Sequence, residues 1–291
     1  MRLDADGANP VSLVDEPSAS YFNLRPSPAG TVILFNRTTG SILPGPVFYV
    51  SSTGAGLAPF PAPSESPGVW APDGSRIGWV ARGDAGGQIV LTSPTGSAPD
   101  TVALADALAW SRDGTRLAIA YKPTNQDLEI GTIDLDGDRA RINRTQTPYD
   151  DYLPAWSPDG SRIAFYSNRP SAPGLYVMDA NGGNQRRLTA ATFNMPAQWS
   201  PDGTRIGIMS NEGGRHLRVL ELDGTEVVLP AVLSGLCWDF AWSPGGANVL
   251  VSVVNARGES EVYLGSADFT GLRRIALPAS GSAFVGWLPS P

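Results

Sequence analysis

Short apolar runs recur along the chain, each bounded by polar turn residues. One series reads Thr31-Val-Ile-Leu-Phe35, Arg76-Ile-Gly-Trp-Val80, Arg116-Leu-Ala-Ile-Ala-Tyr121, Arg162-Ile-Ala-Phe-Tyr166, Arg205-Ile-Gly-Ile-Met209 and Val249-Leu-Val-Ser-Val-Val254. These runs are too short for helices and rich in β-branched and aromatic residues. They are apolar at successive positions, the pattern of strands covered on both faces. A second series includes Val47-Phe-Tyr-Val50, Gln88-Ile-Val-Leu91, Leu175-Tyr-Val-Met178, Leu217-Arg-Val-Leu220 and Glu261-Val-Tyr-Leu264. No segment shows a helical period.

The turns between the runs repeat as well. Trp70-Ala-Pro-Asp-Gly74, Trp110-Ser-Arg-Asp-Gly114, Trp156-Ser-Pro-Asp-Gly160, Trp199-Ser-Pro-Asp-Gly203 and Trp242-Ser-Pro-Gly-Gly246 follow a degenerate copy at Pro26-Ser-Pro-Ala-Gly30. Their glycines are spaced by 44, 40, 46, 43 and 43 residues. A second turn recurs half a period later and ends at Gly7, Gly54, Gly96, Gly137, Gly182, Gly224 and Gly271. Asp-Gly and Asn-Gly are hairpin chemistry, because glycine takes positive φ without a Cβ clash. Each period is therefore four antiparallel strands, A to D, with tight A–B and C–D turns. A fourth strand follows the second turn, as at Arg186-Arg-Leu-Thr189 and Thr225-Glu-Val-Val-Leu229. Four strands per roughly 43 residues, in series, is the signature of a β-propeller.

The copy Trp156-Ser-Pro-Asp-Gly-Ser-Arg-Ile-Ala-Phe-Tyr-Ser-Asn168, with Leu175-Tyr-Val-Met-Asp179 and Arg187-Leu-Thr189, resembles the TolB-type, WD40-like propeller repeat. The copy at 199–220 matches nearly as well, and the one at 70–91 less closely. The resemblance implies an all-β fold of four-stranded blades and a bacterial, periplasmic or extracytoplasmic setting. No signal peptide is visible at Met1-Arg2-Leu3-Asp4, which leaves a cytoplasmic location open.

The strands number seven A, six B, seven C and seven D, or 27 of the 28 of a seven-bladed ring. The expected blades are 21–63, 64–104, 105–147, 148–191, 192–231 and 232–279, within one domain spanning 1–291. Segments 1–15 and 282–289 are expected to pair as a split, incomplete closing blade. The alternative is a six-bladed, TolB-like ring with both tails packed outside it.

Composition narrows the function. Net charge is −7, with 21 basic and 28 acidic residues, which argues against a nucleic-acid partner. No apolar run approaches the roughly 18 residues of a membrane helix, so no membrane insertion is expected. Cys237 and His216 are the only residues of their kinds, which removes intrachain disulfides and multi-histidine metal sites. The repeated tryptophans are expected to pack between blades. The Asp-x-Asp-Gly runs, above all Asp134-Leu-Asp-Gly-Asp138, lack a complete calcium-ligand array and are expected to bind their own turns. Asn36-Arg-Thr38 and Asn143-Arg-Thr145 match the glycosylation pattern.

In a propeller the A–B and C–D turns share one end, and the D–A and B–C loops share the other. The first set is uniform in this chain; the second varies in length and chemistry, as binding loops do. Its candidate partner-binding residues are Asp150, Asp151, Tyr152, Arg169, Asn194, Asn211, Trp238, Asp239 and Arg257. Tyr, Trp and Arg dominate interface energies. The chain is thus expected to be a monomeric, non-catalytic scaffold for a protein or peptide, with no cofactor, metal or catalytic residue. Two alternatives stay open. One is a glycan- or small-molecule-acting enzyme using channel carboxylates such as Asp151 and Asp239. The other is the detached propeller of a larger sensor or peptidase.

Overall fold

The structure, a computed structural model, describes residues 13–14, 19–39, 45–64, 68–83, 86–123, 127–190, 195–211, 214–255, 257–275 and 287. They form six antiparallel sheets in sequence order. The first holds β1 (Ala19–Pro26), β2 (Val32–Thr39), β3 (Val47–Ser51) and β4 (Ala58–Pro59); the second holds β5 (Val69–Trp70), β6 (Ile77–Gly83), β7 (Gly86–Thr92) and β8 (Asp100–Leu104). The third holds β9 (Ala107–Trp110), β10 (Arg116–Tyr121), β11 (Glu129–Asp134) and β12 (Arg141–Asn143). The fourth holds β13 (Asp151–Trp156), β14 (Arg162–Ser167), β15 (Gly174–Asp179) and β16 (Arg186–Thr189). The fifth has three strands, β17 (Gln198–Trp199), β18 (Arg205–Ser210) and β19 (His216–Glu221). The sixth holds β20 (Leu236–Trp242), β21 (Asn248–Val254), β22 (Ser260–Ser266) and β23 (Arg273–Ile275).

This is the expected propeller, with the blade count of the six-bladed alternative. The seven-bladed expectation gains no seventh sheet among the described residues. Its closing segments, 1–15 and 282–289, lie outside them except for Leu13, Val14 and Trp287.

First strands of successive sheets touch, β9 with β13 and β13 with β17, so strand A is innermost. The second strands are buried almost end to end, as their continuous apolar runs require: β10, β14 and β18 each bury five successive residues. The core is therefore a series of seams between blades. Ile89 and Leu91 of sheet two pack with Trp110 and Leu117 of sheet three. Ala118 and Ile130 of sheet three meet Trp156 and Phe165 of sheet four. Leu175 and Val177 meet Ile206 and Ile208, and Val219 meets Phe240 and Val251.

The repeated tryptophans join neighbouring blades. Trp70 Nε1 donates to Arg25 O at 3.1 Å, Trp110 to Val69 O at 3.0 Å and Trp199 to Ala155 O at 3.1 Å. Each acceptor precedes the equivalent position of the previous blade. Trp287 obeys the same rule, donating to Ala241 O at 2.9 Å. Trp242 bonds instead to Ala267 O in the turn after β22 of its own blade at 3.3 Å. The buried Trp156 Nε1 has no acceptor among the described residues, and Arg116 lies over its ring at 4.7 Å.

The serine and aspartate of the repeat close their own turns. Ser157 Oγ donates to Asp159 Oδ1 at 2.5 Å and accepts from Arg162 N at 2.9 Å, while Asp159 Oδ1 accepts from Ser161 N at 3.0 Å. The same three bonds recur around Ser111 and Asp113 and around Ser200 and Asp202. Asp134 and Asp138 likewise accept backbone N–H groups two residues on.

One expected strand is absent. The segment 225–229 forms one isolated bridge with β19, Leu220–Glu226, with backbone bonds from Glu221 N to Thr225 O and from Val227 N to Val219 O, each 2.8 Å. Pro230 and the 3-10 turn Ala231–Leu233 then carry the chain toward β20. A proline has no N–H to continue a ladder, so pairing stops there.

Candidate functional site

Antiparallel order puts the B–C and D–A loops at one end of the ring and both tight turns at the other. The nine candidate residues divide into a buried network, a pair on β20 and scattered loop positions.

The network lies between sheets three and four. A bulge in β13, with Leu153 at φ +51°, shifts the register between Tyr152 and Ala155. Asp151 heads that strand at 0% exposure. Its Oδ2 accepts from Thr147 Oγ1 at 3.1 Å and from Arg169 at 3.4 Å; its Oδ1 has no hydrogen-bond partner among the described residues. Arg169 also donates to Gln185 Oε1 at 2.7 Å and lies over the Tyr176 ring at 4.5 Å. Asp150 accepts from Leu128 N at 2.8 Å and from Asn168 Nδ2 at 3.0 Å. Tyr152 stacks near Tyr166, ring centroids 5.9 Å apart.

Glu129 completes this network and was not singled out in the sequence. It is 6% exposed, accepts from Thr147 N at 2.7 Å and takes a very short bond from Thr145 Oγ1. Burial raises the pKa of both carboxyls; at Glu129 the Asp151 charge adds to the rise, and at Asp151 Ser167, Arg169 and Thr147 offset part of it. A glutamate opening an otherwise apolar strand was the available signal.

Asp151 is therefore an internal group, unlike the open mouth residue expected, and Arg169 is half-buried with its side chain 18% exposed. The loop carrying Thr145 and Thr147 folds over Asp151 and excludes solvent. Asp151 and Asp239, nominated together for channel chemistry, sit on sheets four and six.

The second group is on β20. Trp238 lies at a bulge, half-buried, with its Nε1 enclosed and lacking an acceptor among the described residues. Arg215 lies over its ring at 5.8 Å. Asp239 accepts from Phe240 N at 2.9 Å and acts electrostatically on Arg25 of β1. Arg25 is exposed, yet the surrounding chain crowds it enough to lower its pKa against the opposing pull of Asp239. Burial and Asp239 push the Cys237 thiol up to about 12, which makes it a poor nucleophile.

Asn211 and Arg257 are exposed on B–C loops, and Asn194 lies outside the described residues. Arg257 sits at a turn capped by Asn255 Oδ1, which accepts Arg257 N at 2.9 Å. His216 is half-buried, its Nδ1 3.3 Å from Gly235 O. Asn36 is fully buried and donates to Gly45 O at 2.6 Å, so that sequon is closed to a glycan in the folded chain. Among the described residues no three His, Cys, Asp or Glu side chains group as a metal site, and no helix is long and apolar enough to cross a membrane.

The family model for the TolB beta propeller domain matches residues 57–230. Among solved structures, a protein described as a TolB of Agrobacterium tumefaciens is 19% identical, with 80% of this chain and 89% of that chain covered at a TM-score of 0.61. TolB of Acinetobacter baumannii is 18% identical, with 86% of this chain and 61% of that chain covered at a TM-score of 0.54. An oligogalacturonate lyase of Vibrio parahaemolyticus is 13% identical, with 92% and 81% covered at a TM-score of 0.65. Likeness at these identities is one of fold.

Proposed function

The chain belongs to the TolB beta propeller family, and on that premise we propose that it is a non-catalytic scaffold that binds a protein or peptide partner through its D–A and B–C loops. One contrast carries the reading. At the turn end, the repeated serines and aspartates are committed to their own turns. At the loop end, Trp238 is half-buried, and Tyr149 and Leu236 are 37% and 49% exposed. A partner that covered these apolar groups would gain their burial.

Within this reading Trp238 and Asp239 form the mouth contact, Asn211 and Arg257 the rim, and Asp150, Tyr152 and Arg169 the wall held by buried Asp151. The resemblance to TolB supports a periplasmic or extracytoplasmic setting for this function. The channel-enzyme alternative gains no support from Asp151, which solvent does not reach.

Affinity capture with the folded chain tests the reading, with Trp238→Ala and Arg257→Glu compared against Arg112→Glu on an A–B turn. Partners should be lost with the first two variants and kept with the third. Equal recovery on all three would reject the loop end as the binding face.

A further inference from the structure

Two carboxyl groups are closed into the seam between sheets three and four, and one loop residue ties them together. Glu129 opens β11 and Asp151 opens β13, both buried. Thr147 donates its N–H to Glu129 Oε1 at 2.7 Å and its hydroxyl to Asp151 Oδ2 at 3.1 Å. Thr145 Oγ1 donates to the other oxygen of Glu129 and accepts from Ile130 N at 3.0 Å. Asp150 fixes the far end of the same D–A loop through Leu128 N and Asn168 Nδ2. Between these anchors stands Tyr149, which is exposed. The blade fold does not require this pair. Gly174 and His216 hold the position of Glu129 on β15 and β19, and Cys237 holds that of Asp151 on β20.

The charges around the two carboxyls do not balance. Arg169 is the only base in contact with either of them among the described residues, and it stands 3.4 Å from Asp151 while donating to Gln185 at 2.7 Å. The other titratable groups here are Tyr121 of β10, Arg141 of β12, Asp150 of the loop, Tyr152 of β13, Tyr166 of β14 and Tyr176 of β15. Arg141 lies over the Tyr121 ring at 3.9 Å, and Tyr176 lies under Arg169. None of these brings a second positive charge against a carboxyl. A buried carboxylate without a paired cation takes up a proton instead. Both oxygens of Glu129 already accept bonds, whereas Asp151 Oδ1 has no hydrogen-bond partner among the described residues. Beside Asp151 lies its register partner Ser167, whose enclosed hydroxyl can accept from a protonated Oδ1.

We propose that the D–A loop between sheets three and four is a proton-dependent latch: one proton on Asp151 Oδ1 leaves a single negative charge opposite Arg169 and keeps residues 145–150 closed over β13, and its loss sets two negative charges across Thr147 and releases the loop. The latch fixes how Tyr149 and Asp150 are presented at the loop end, so it deepens the loop-face reading and rests on it for its use. Burial acts in the same sense, raising both carboxyls, and the charge of Asp151 raises Glu129 further. The closed loop holds the extra proton. Opening therefore becomes easier as pH rises from the ordinary carboxylate range toward the raised value, and levels off above it.

Amide exchange on the full chain reads the latch without a partner. The protection factor of the Thr147 amide, relative to that of Ile208 in β18, should fall about fivefold or more between about pH 4 and about pH 8. Glu129→Gln keeps an acceptor for Thr147 and removes one charge, so its protection should stay level over that range. Asp151→Asn should do the same by removing the other charge. In the parent, the Asp151 carboxyl carbon, followed by NMR, should titrate above the ordinary carboxylate range. Protection of Thr147 that is independent of pH in the parent, an ordinary titration of Asp151, or a slope as steep as the parent's in either variant would overturn the latch. None of these results touches the loop-face reading, which the capture experiment decides.

Discussion

Asp159 and Asp151 carry the same side chain and titrate in opposite directions. Hydrogen bonds from Ser157 and Ser161 hold Asp159 down at about 2. Burial drives Asp151 up. A depressed carboxyl stabilises the fold above its unfolded pKa, about 3.9, and loses that contribution as pH falls through the folded value. Ser157→Ala is therefore expected to raise the Asp159 pKa and shift acid unfolding to higher pH, read by NMR titration and by circular dichroism. A raised carboxyl acts with the other sign: the folded state holds the extra proton, so stability declines as pH rises from the unfolded toward the folded pKa. The stability of Asp151→Asn relative to the parent should accordingly improve from pH 4 toward neutrality in urea unfolding. A pH-independent difference would mean that Asp151 is not the strained group. The Ser–Asp turns were legible in the sequence because their partners lie within five residues. The Asp151 network was not, because Glu129 reaches it only through the packing of one sheet on the next.

At the scale of the element, glycines inside strands show how tightly the blades meet. A Cβ on Gly207 of β18 would lie 2.5 Å from the Phe240 ring and 2.8 Å from Trp242 of the next sheet. Gly207→Ala should cost roughly 1–3 kcal/mol by overpacking. Gly245→Ala, where a Cβ meets nothing within 4 Å, should be nearly neutral. Thermal melts of the two variants would separate a packing glycine from a spacer. In the sequence both read simply as glycines in or near a repeat, because the neighbour that matters lies about 33 residues away. Strands B and C were legible from their continuous apolar runs. The fourth strand of blade five was not: Thr225–Leu229 has strand composition, but Pro230 and the path into β20 decide its pairing.

Across the whole molecule the core is one seam per pair of neighbouring blades, so the two outermost faces need cover. Leu13, 8% exposed, packs on Ile33, Phe35 and Val50 of the first sheet. Trp287 packs on Val262, Leu264 and Ile275 of the sixth and makes the bond that marks a strand-A tryptophan. Both faces thus receive the kind of contact that a further blade would supply. Trp110→Ala should cost about 3–5 kcal/mol and lower Tm by on the order of 10 °C. Trp287→Ala should lower Tm by at least half as much if its seam is part of the same core. An unchanged Tm would place Trp287 outside the cooperative ring.

The central claim is that the loop end of this propeller is its binding face, and a hydrogen-exchange footprint of the captured complex tests it most directly. Protection confined to 149–152, 168–172, 214–218, 236–239 and 255–259 is the predicted result. Protection at the turns around Gly74, Gly114, Gly160 and Gly203, with the loops unchanged, would contradict it.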